Sequence, residues 1–231
     1  MSFYDQLVQA TATDRQQLMA APVIAGCLQG QVSQESYLAF LGQAYHHVRY
    51  TTPLLMLLGG RLPERLGWLR RAVAEYIEEE IGHEEWILSD ITAAGGDAAA
   101  VRASHPELPA ELMVAYAYDV VNRGNPAGFF GMVFVLEGTS VALALMAADR
   151  IQQALGLPDS AFSYLRSHGT LDQEHTRHLA DLLEKMTPDD QQEVVRCARI
   201  FFNLYGDIFR ALPHQGAGTD EISTEGVVAC S

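Results

Sequence analysis

The chain has 231 residues, 48% of them hydrophobic, and its 15 Lys and Arg against 29 Asp and Glu give a formal charge of −14. Phosphate binding needs a clustered basic face, so nucleic acid is excluded as a partner and the acidity reads as a solvated surface. Three widely spaced cysteines, Cys27, Cys197 and Cys230, contain no CxxC pair, which argues against a disulfide scaffold or zinc ribbon and suits a reducing cytoplasm.

The opening MSFYDQLVQATATDRQ has neither a basic nor an apolar stretch, so no export signal is expected. A helix is predicted over 3–20, and Pro22, at a favoured first-turn position, opens a short one over 22–30. Ser33 caps a long helix running to about 58, with Gly59-Gly60 as its stop. Pro63-Glu64 opens the next, which runs to about 94 and closes at Gly95-Gly96. After a loop holding Pro106 and Pro109, a helix runs to Arg123, where Gly124-Asn125-Pro126 breaks it. Further helices are predicted over 126–156, from Pro158 to Met186, and from Thr187-Pro188 to about 212. Residues 213–231, rich in Gly, Ser, Thr and acids, read as a flexible tail. Period-2 alternation is nearly absent and no linker interrupts the middle. The expectation is an all-α fold, one domain over 1–212, arranged as a seven-helix bundle.

The stretch from Ala127 to Ala148 is long enough to span a bilayer, and Glu137 is its only ionisable residue. A carboxylate at mid-span is costly in lipid, and no basic residues flank the run to orient it. A buried central helix in a soluble, cytoplasmic protein is therefore expected, with no membrane partner.

In the sequence His168-Gly-Thr-Leu-Asp172-Gln-Glu-His175, two histidines and an aspartate recur at i, i+4 and i+7. On a helix those side chains leave one face within roughly 60° of arc. Imidazole and carboxylate together suit a transition metal. A solvated polar face, shared with Gln173, Glu174, Arg177, His178 and Asp181, is the plainer reading of the segment. Glu80-Ile-Gly-His83 puts a second carboxylate and imidazole one turn apart, beside the apolar stripe Val73, Ile77, Ile81 and Leu88. Glu79 is a credible substitute for Glu80, and a charged helix face explains the acid-rich run without any metal. Glu137 lies within an apolar helix, where an ionised carboxylate is penalised unless it is paired or metal-bound. A protonated or hydrogen-bonded Glu is the other reading. Three histidines and three carboxylates nearly compensate two ferrous ions, and six ligands exceed the usual four of zinc.

In that order and spacing, the residues resemble those of the haem-oxygenase-like di-iron oxidases. Tyr45-His-His-Val-Arg-Tyr-Thr-Thr-Pro-Leu-Leu55 and Glu78-Glu-Glu-Ile-Gly-His-Glu-Glu-Trp86 also look like that group's second and third helices, and the likeness covers about 20–212. The resemblance implies a haem-oxygenase-like seven-helix fold in which Glu80, His83, Glu137, His168, Asp172 and His175 ligate two Fe(II) per chain. It implies O2 as co-substrate and the desaturation, C–C cleavage or N-oxygenation of a small amino or carboxylic acid. An external electron donor and a homodimer are further expectations. One departure is Tyr76, which stands where some members carry the first carboxylate.

The alternatives are a thiaminase-II-like hydrolase, which needs a mid-chain cysteine this sequence lacks, and a non-catalytic partner-binding module of the same fold. Haem oxygenases ligate haem through a first-helix histidine, whereas the first histidine here is His46. Substrate contacts are expected from Tyr45, His46, Arg49, Tyr116, Arg123 and Phe130, with Arg49 or Arg123 pairing with a substrate carboxylate.

Overall fold

Each predicted helix forms, but three of them are divided by identifiable local causes. The computed structural model describes residues 1–214, without the side chains of residues 170–174. Its α-helices are α1 (Phe3–Ala10), α2 (Ala12–Met19), α3 (Pro22–Leu28), α4 (Gln34–Val48), α5 (Thr51–Arg61) and α6 (Arg70–Glu80). They continue as α7 (His83–Ala93), α8 (Ala98–Ala103), α9 (Leu108–Arg123), α10 (Phe129–Leu155), α11 (Ser163–Glu184) and α12 (Pro188–Ala211). Among the described residues there is no strand. The Asp172 side chain and the tail beyond residue 214 lie outside the described residues.

The sequence signals act where they were read. Ser33 Oγ accepts the backbone N–H of Ser36 at 3.0 Å, and Pro188 opens α12 behind Thr187, whose hydroxyl accepts the N–H of Asp190 at 3.3 Å. The divisions have different origins. The helix expected over 3–20 breaks at Thr11, whose hydroxyl donates back to the Leu7 carbonyl at 2.8 Å. The helix expected over 33–58 breaks after Val48 because Pro53, in the first turn of α5, has no N–H and its ring crowds the Arg49 carbonyl. The helix expected from 63 to 94 begins as a 3₁₀ segment over Glu64–Leu69 and breaks again at Gly82, whose φ is +92°. Only glycine adopts that backbone without a steric cost.

The apolar α10 is a core helix of the bundle. It packs along α11 and α12 and meets α3 and α9. Phe129, Phe130, Val133 and Val135 are buried in its first half, each worth roughly 1.5–3 kcal/mol of apolar burial. Two glycines set the spacing. A Cβ at Gly131 would lie 2.7 Å from the Ala198 N and Val194 O of α12, and one at Gly169 would lie 2.7 Å from Leu145 Cγ. Gly169 therefore brings α11 against α10 one residue after His168.

Two buried aspartates tie helices end to end. Asp90 of α7 accepts the backbone N–H groups of Ser163 at 3.0 Å and Tyr164 at 2.8 Å, together with the Ser163 hydroxyl, and so caps α11. Asp190 of α12 accepts from Arg65, from Asn125 Nδ2 at 2.7 Å and from the Thr187 hydroxyl at 2.7 Å.

Candidate metal centre

Glu80 is the last residue of α6 and His83 the first of α7, so the Glu-x-x-His pair does not lie on one continuous helix. The turn at Gly82 folds it together, with His83 Nδ1 3.3 Å from Glu80 Oε2. The expected one-turn spacing is thus corrected: the two side chains meet across a helix break. Trp86 stacks on the other side of His83, with ring centroids 3.9 Å apart and planes at 28°.

His168 enters from α11. Its Nδ1 lies 3.0 Å from the Tyr164 carbonyl, an acceptor only, so Nδ1 donates, and in the neutral ring Nε2 is the nitrogen left to bind a metal. The capped first turn of α11 thereby orients the imidazole, since the carbonyl belongs to the residue whose N–H Asp90 holds. The His83 and His168 rings meet edge-on at 4.8 Å.

One ligand atom from each of Glu80, His83 and His168 lies within 4.8 Å of the others. The set fits a metal: its atoms are nitrogen and oxygen, and buried His83 Nδ1 has no hydrogen bond of proper geometry among the described residues. At metal–ligand distances of about 2.1 Å two donors on one ion lie at most about 4.2 Å apart, so binding would pull the more widely spaced of these atoms closer together.

Farther along α11, His175 faces two carboxylates. Its Nε2 is 3.0 Å from Glu79 Oε2 and its Nδ1 is 3.6 Å from Glu137 Oε1. Glu137 is only 8% exposed and His175 7%. Asp172 lies between the two histidines along α11. Glu79 and Glu80 are therefore separated by the structure: Glu80 is largely covered and sits with buried His83 and partly buried His168, whereas Glu79 is half exposed against His175.

The electrostatics agree with an ionised cluster. Burial alone pushes the Glu80 carboxyl up, but His83, His168 and His175 together outweigh it and hold its pKa below the ordinary value. Burial, and then the charge of Glu137, drive the Tyr76 phenol far above its usual range, so it stays protonated. His47, buried, is pushed down to about 4 by burial first and then by His168, so its imidazole is neutral.

A cavity of 170 Å³ opens beside the cluster, with Glu80, Glu137 and His168 in its wall. Most of the remaining wall is apolar, and among the described residues no Lys or Arg lines it.

None of the six expected substrate contacts is on this wall. Tyr45 is buried with Arg49 lying over its ring, and Arg49 itself is exposed. His46 turns away to Ser104, with its Nε2 2.9 Å from the hydroxyl oxygen. Tyr116 packs on Phe201 and donates to Cys197 Sγ at 3.5 Å. Arg123 pairs with Asp119 on the surface, and Phe130 is core. The cavity face of α4 is instead the stripe Ser36, Phe40 and His47, continued by Thr51 at the start of α5. Its helical spacing is visible in the sequence, but adjacent His46 and His47 are alike by type. Trp86 and Asp90 were likewise unflagged, since stacking and remote capping leave no local motif.

This architecture defines an all-helical protein of haem-oxygenase-like fold. A haem-oxygenase-like domain of unknown function from Shewanella denitrificans superposes with a TM-score of 0.82 at 23% identity, over 90% of each chain. A TenA homologue from Pseudomonas syringae pv. tomato gives 0.74 at 10% identity, covering 89% of this chain and 90% of its own. Haem oxygenase-1 from Synechocystis, in complex with haem, gives 0.73 at 11% identity, covering 90% and 91%. At such identities the likeness is one of fold. No curated protein matches the chain in sequence. The chain belongs to the iron-containing redox enzyme family, whose model matches residues 38–206.

Proposed function

We propose that the protein is an O2-dependent non-haem di-iron oxidoreductase acting on a small organic acid. Glu80, His83 and His168 would hold one Fe(II), and Glu137, His175 and Asp172 would complete the second. The observation that carries this reading is the convergence of Glu80, His83 and His168 from three helices on one largely covered point that borders a cavity. Bound ferrous ions would supply the electrons with which O2 is reduced.

The chain's own residues supply the setting. The Tyr164 carbonyl holds the proton on His168 Nδ1 and keeps Nε2 available. Trp86 stacks against His83 and shields it from water. Tyr76 stays protonated beside Glu137, able to donate to a carboxylate but not to compete as an anion. The apolar wall excludes water from a reactive oxidant.

A thiaminase-like reaction is less well supported. Cys27 does line the cavity, but burial raises its pKa, which disfavours the nucleophilic thiolate. Haem ligation from the first helices finds no histidine in α1 or α2.

Anaerobic Fe(II) titration tests the reading. Trp86 fluorescence should be quenched saturably, and O2 should then be consumed. His168→Ala should lose more than 100-fold in Fe(II) affinity. Unchanged quenching and O2 uptake in that variant would rule out the assignment.

A further inference from the structure

The cavity beside the candidate centre has two ends of opposite chemistry. At the metal end, buried polar groups await a partner. His47 is 6% exposed, lines the cavity and has no hydrogen bond among the described residues, its one ring contact being edge-on with Tyr205. It shares this wall with His168. Ser140, one turn after Glu137 on α10, also lines the cavity with a buried hydroxyl that has no partner among the described residues. Leaving a buried hydroxyl such as that of Ser140 unsatisfied is costly, so a ligand that bonds to it is favoured.

Away from that end the wall is hydrocarbon. Leu143, Ala147 and Ile151 continue the face of α10 that carries Glu137 and Ser140, and Ile24 and Leu28 face the same space from α3. From Glu137 to Ile151 is fourteen residues, about 21 Å at 1.5 Å per residue, so α10 forms an elongated wall.

Charge narrows the ligand further. Without Lys or Arg in the wall, an anion here depends on the metals for compensation, and this step rests on the di-iron reading. Two ferrous ions against Glu80, Glu137 and Asp172 leave one net positive charge, which one carboxylate neutralises. An α-ammonium group would find no free carboxylate, because Glu80 and Glu137 are the acidic residues of the wall and both are ligands.

We infer that the cavity takes a straight-chain monocarboxylic acid, its carboxylate at the metal end within reach of His47 and Ser140 and its chain along α10 toward Ile151. An amino acid is not the substrate class on this account.

The test is calorimetric binding under anaerobic conditions to protein whose iron content has first been counted. The ligands are hexanoate, octanoate, decanoate and 2-aminodecanoate. Affinity should rise about fourfold per CH2 from hexanoate upward. The 2-amino acid should bind at least tenfold more weakly than decanoate. Ala147→Phe and Ala144→Phe, each checked for native helicity by circular dichroism, should weaken decanoate far more than hexanoate. His47→Leu should weaken every acid by a similar factor, about tenfold. With iron at full stoichiometry, affinity independent of chain length, or preference for the amino acid, would overturn the inference and leave the di-iron reading intact. Chain-length-dependent binding that is blocked by Ala147→Phe in protein that takes up no iron would support the cavity assignment and sink the metal reading.

Discussion

Gly82 decides how Glu80 and His83 meet. Its left-handed backbone breaks the helix between them, and a Cβ there would meet no other atom within 4 Å. The cost of Gly82→Ala is therefore backbone strain alone, about 1–2 kcal/mol. Thermal unfolding should fall by roughly 2–8 °C for a chain of this size, and Fe(II) affinity should fall with it. Gly60→Ala, in an exposed helical position with no neighbour within 4 Å, should leave both undiminished. Equal losses in the two variants would remove the special role given to Gly82. The His168/His175 stripe was legible because a helix has a fixed period, and both residues do face the bundle interior. The Glu80–His83 pairing was legible only as a spacing; that it needs a broken helix is hidden, because both sides of the break bury the same face. His47 was not legible beside His46, since only the phase of α4 against its neighbours distinguishes them.

Among the elements, α11 is positioned by a residue of another helix. Asp90 holds its first two N–H groups, and Tyr164, the second of these, orients His168. Asp90→Ala should cost roughly 2–4 kcal/mol in urea unfolding, by losing the cap and leaving buried donors unsatisfied. It should also weaken Fe(II) binding about 10- to 100-fold, the range usual for groups that orient a metal ligand. Asp90→Asn keeps one acceptor oxygen and should recover part of both; stability lost with metal affinity unchanged would confine Asp90 to a purely structural role. Helix existence was readable throughout from caps and apolar period. The breaks at Thr11 and Gly82 were not, because a long buried face runs across each pair of segments and the period does not register the kink. Pro53 was the one explicit signal, and it acts as a break because it stands in the first turn of a new helix.

At the scale of the whole molecule, buried polar groups link stability to pH. His47 has a folded pKa near 4, below the ordinary 6.5, so it contributes stability fully above pH 6.5. That contribution, on the order of 3 kcal/mol, is lost as the pH falls from 6.5 through 4, because the unfolded chain takes up the proton first. His47→Leu should flatten this part of the profile in urea unfolding measured at several pH values; an unaltered slope would contradict the buried, neutral imidazole. Asp190 acts lower on the scale. Although burial, the largest single influence, pushes its carboxyl up, its bonds to Arg65, Asn125 and Thr187 outweigh this and hold it below its usual pKa, so its stabilisation is present above pH 3.8 and disappears as the pH falls through its depressed value. The fold itself was legible as an all-helical bundle from composition and period. The same architecture persists in proteins only 10–23% identical, as expected when burial pattern rather than particular residues specifies it.

A di-iron enzyme of this design must hold iron where Glu80, His83 and His168 meet. Anaerobic equilibrium dialysis against Fe(II), with metal counted per chain, measures this directly. Wild-type protein should retain two irons, Glu80→Ala and His168→Ala should retain one or none, and surface variant Arg123→Ala should match the wild type. Iron no higher than in a metal-free control protein, or equal loading in all four, would contradict it.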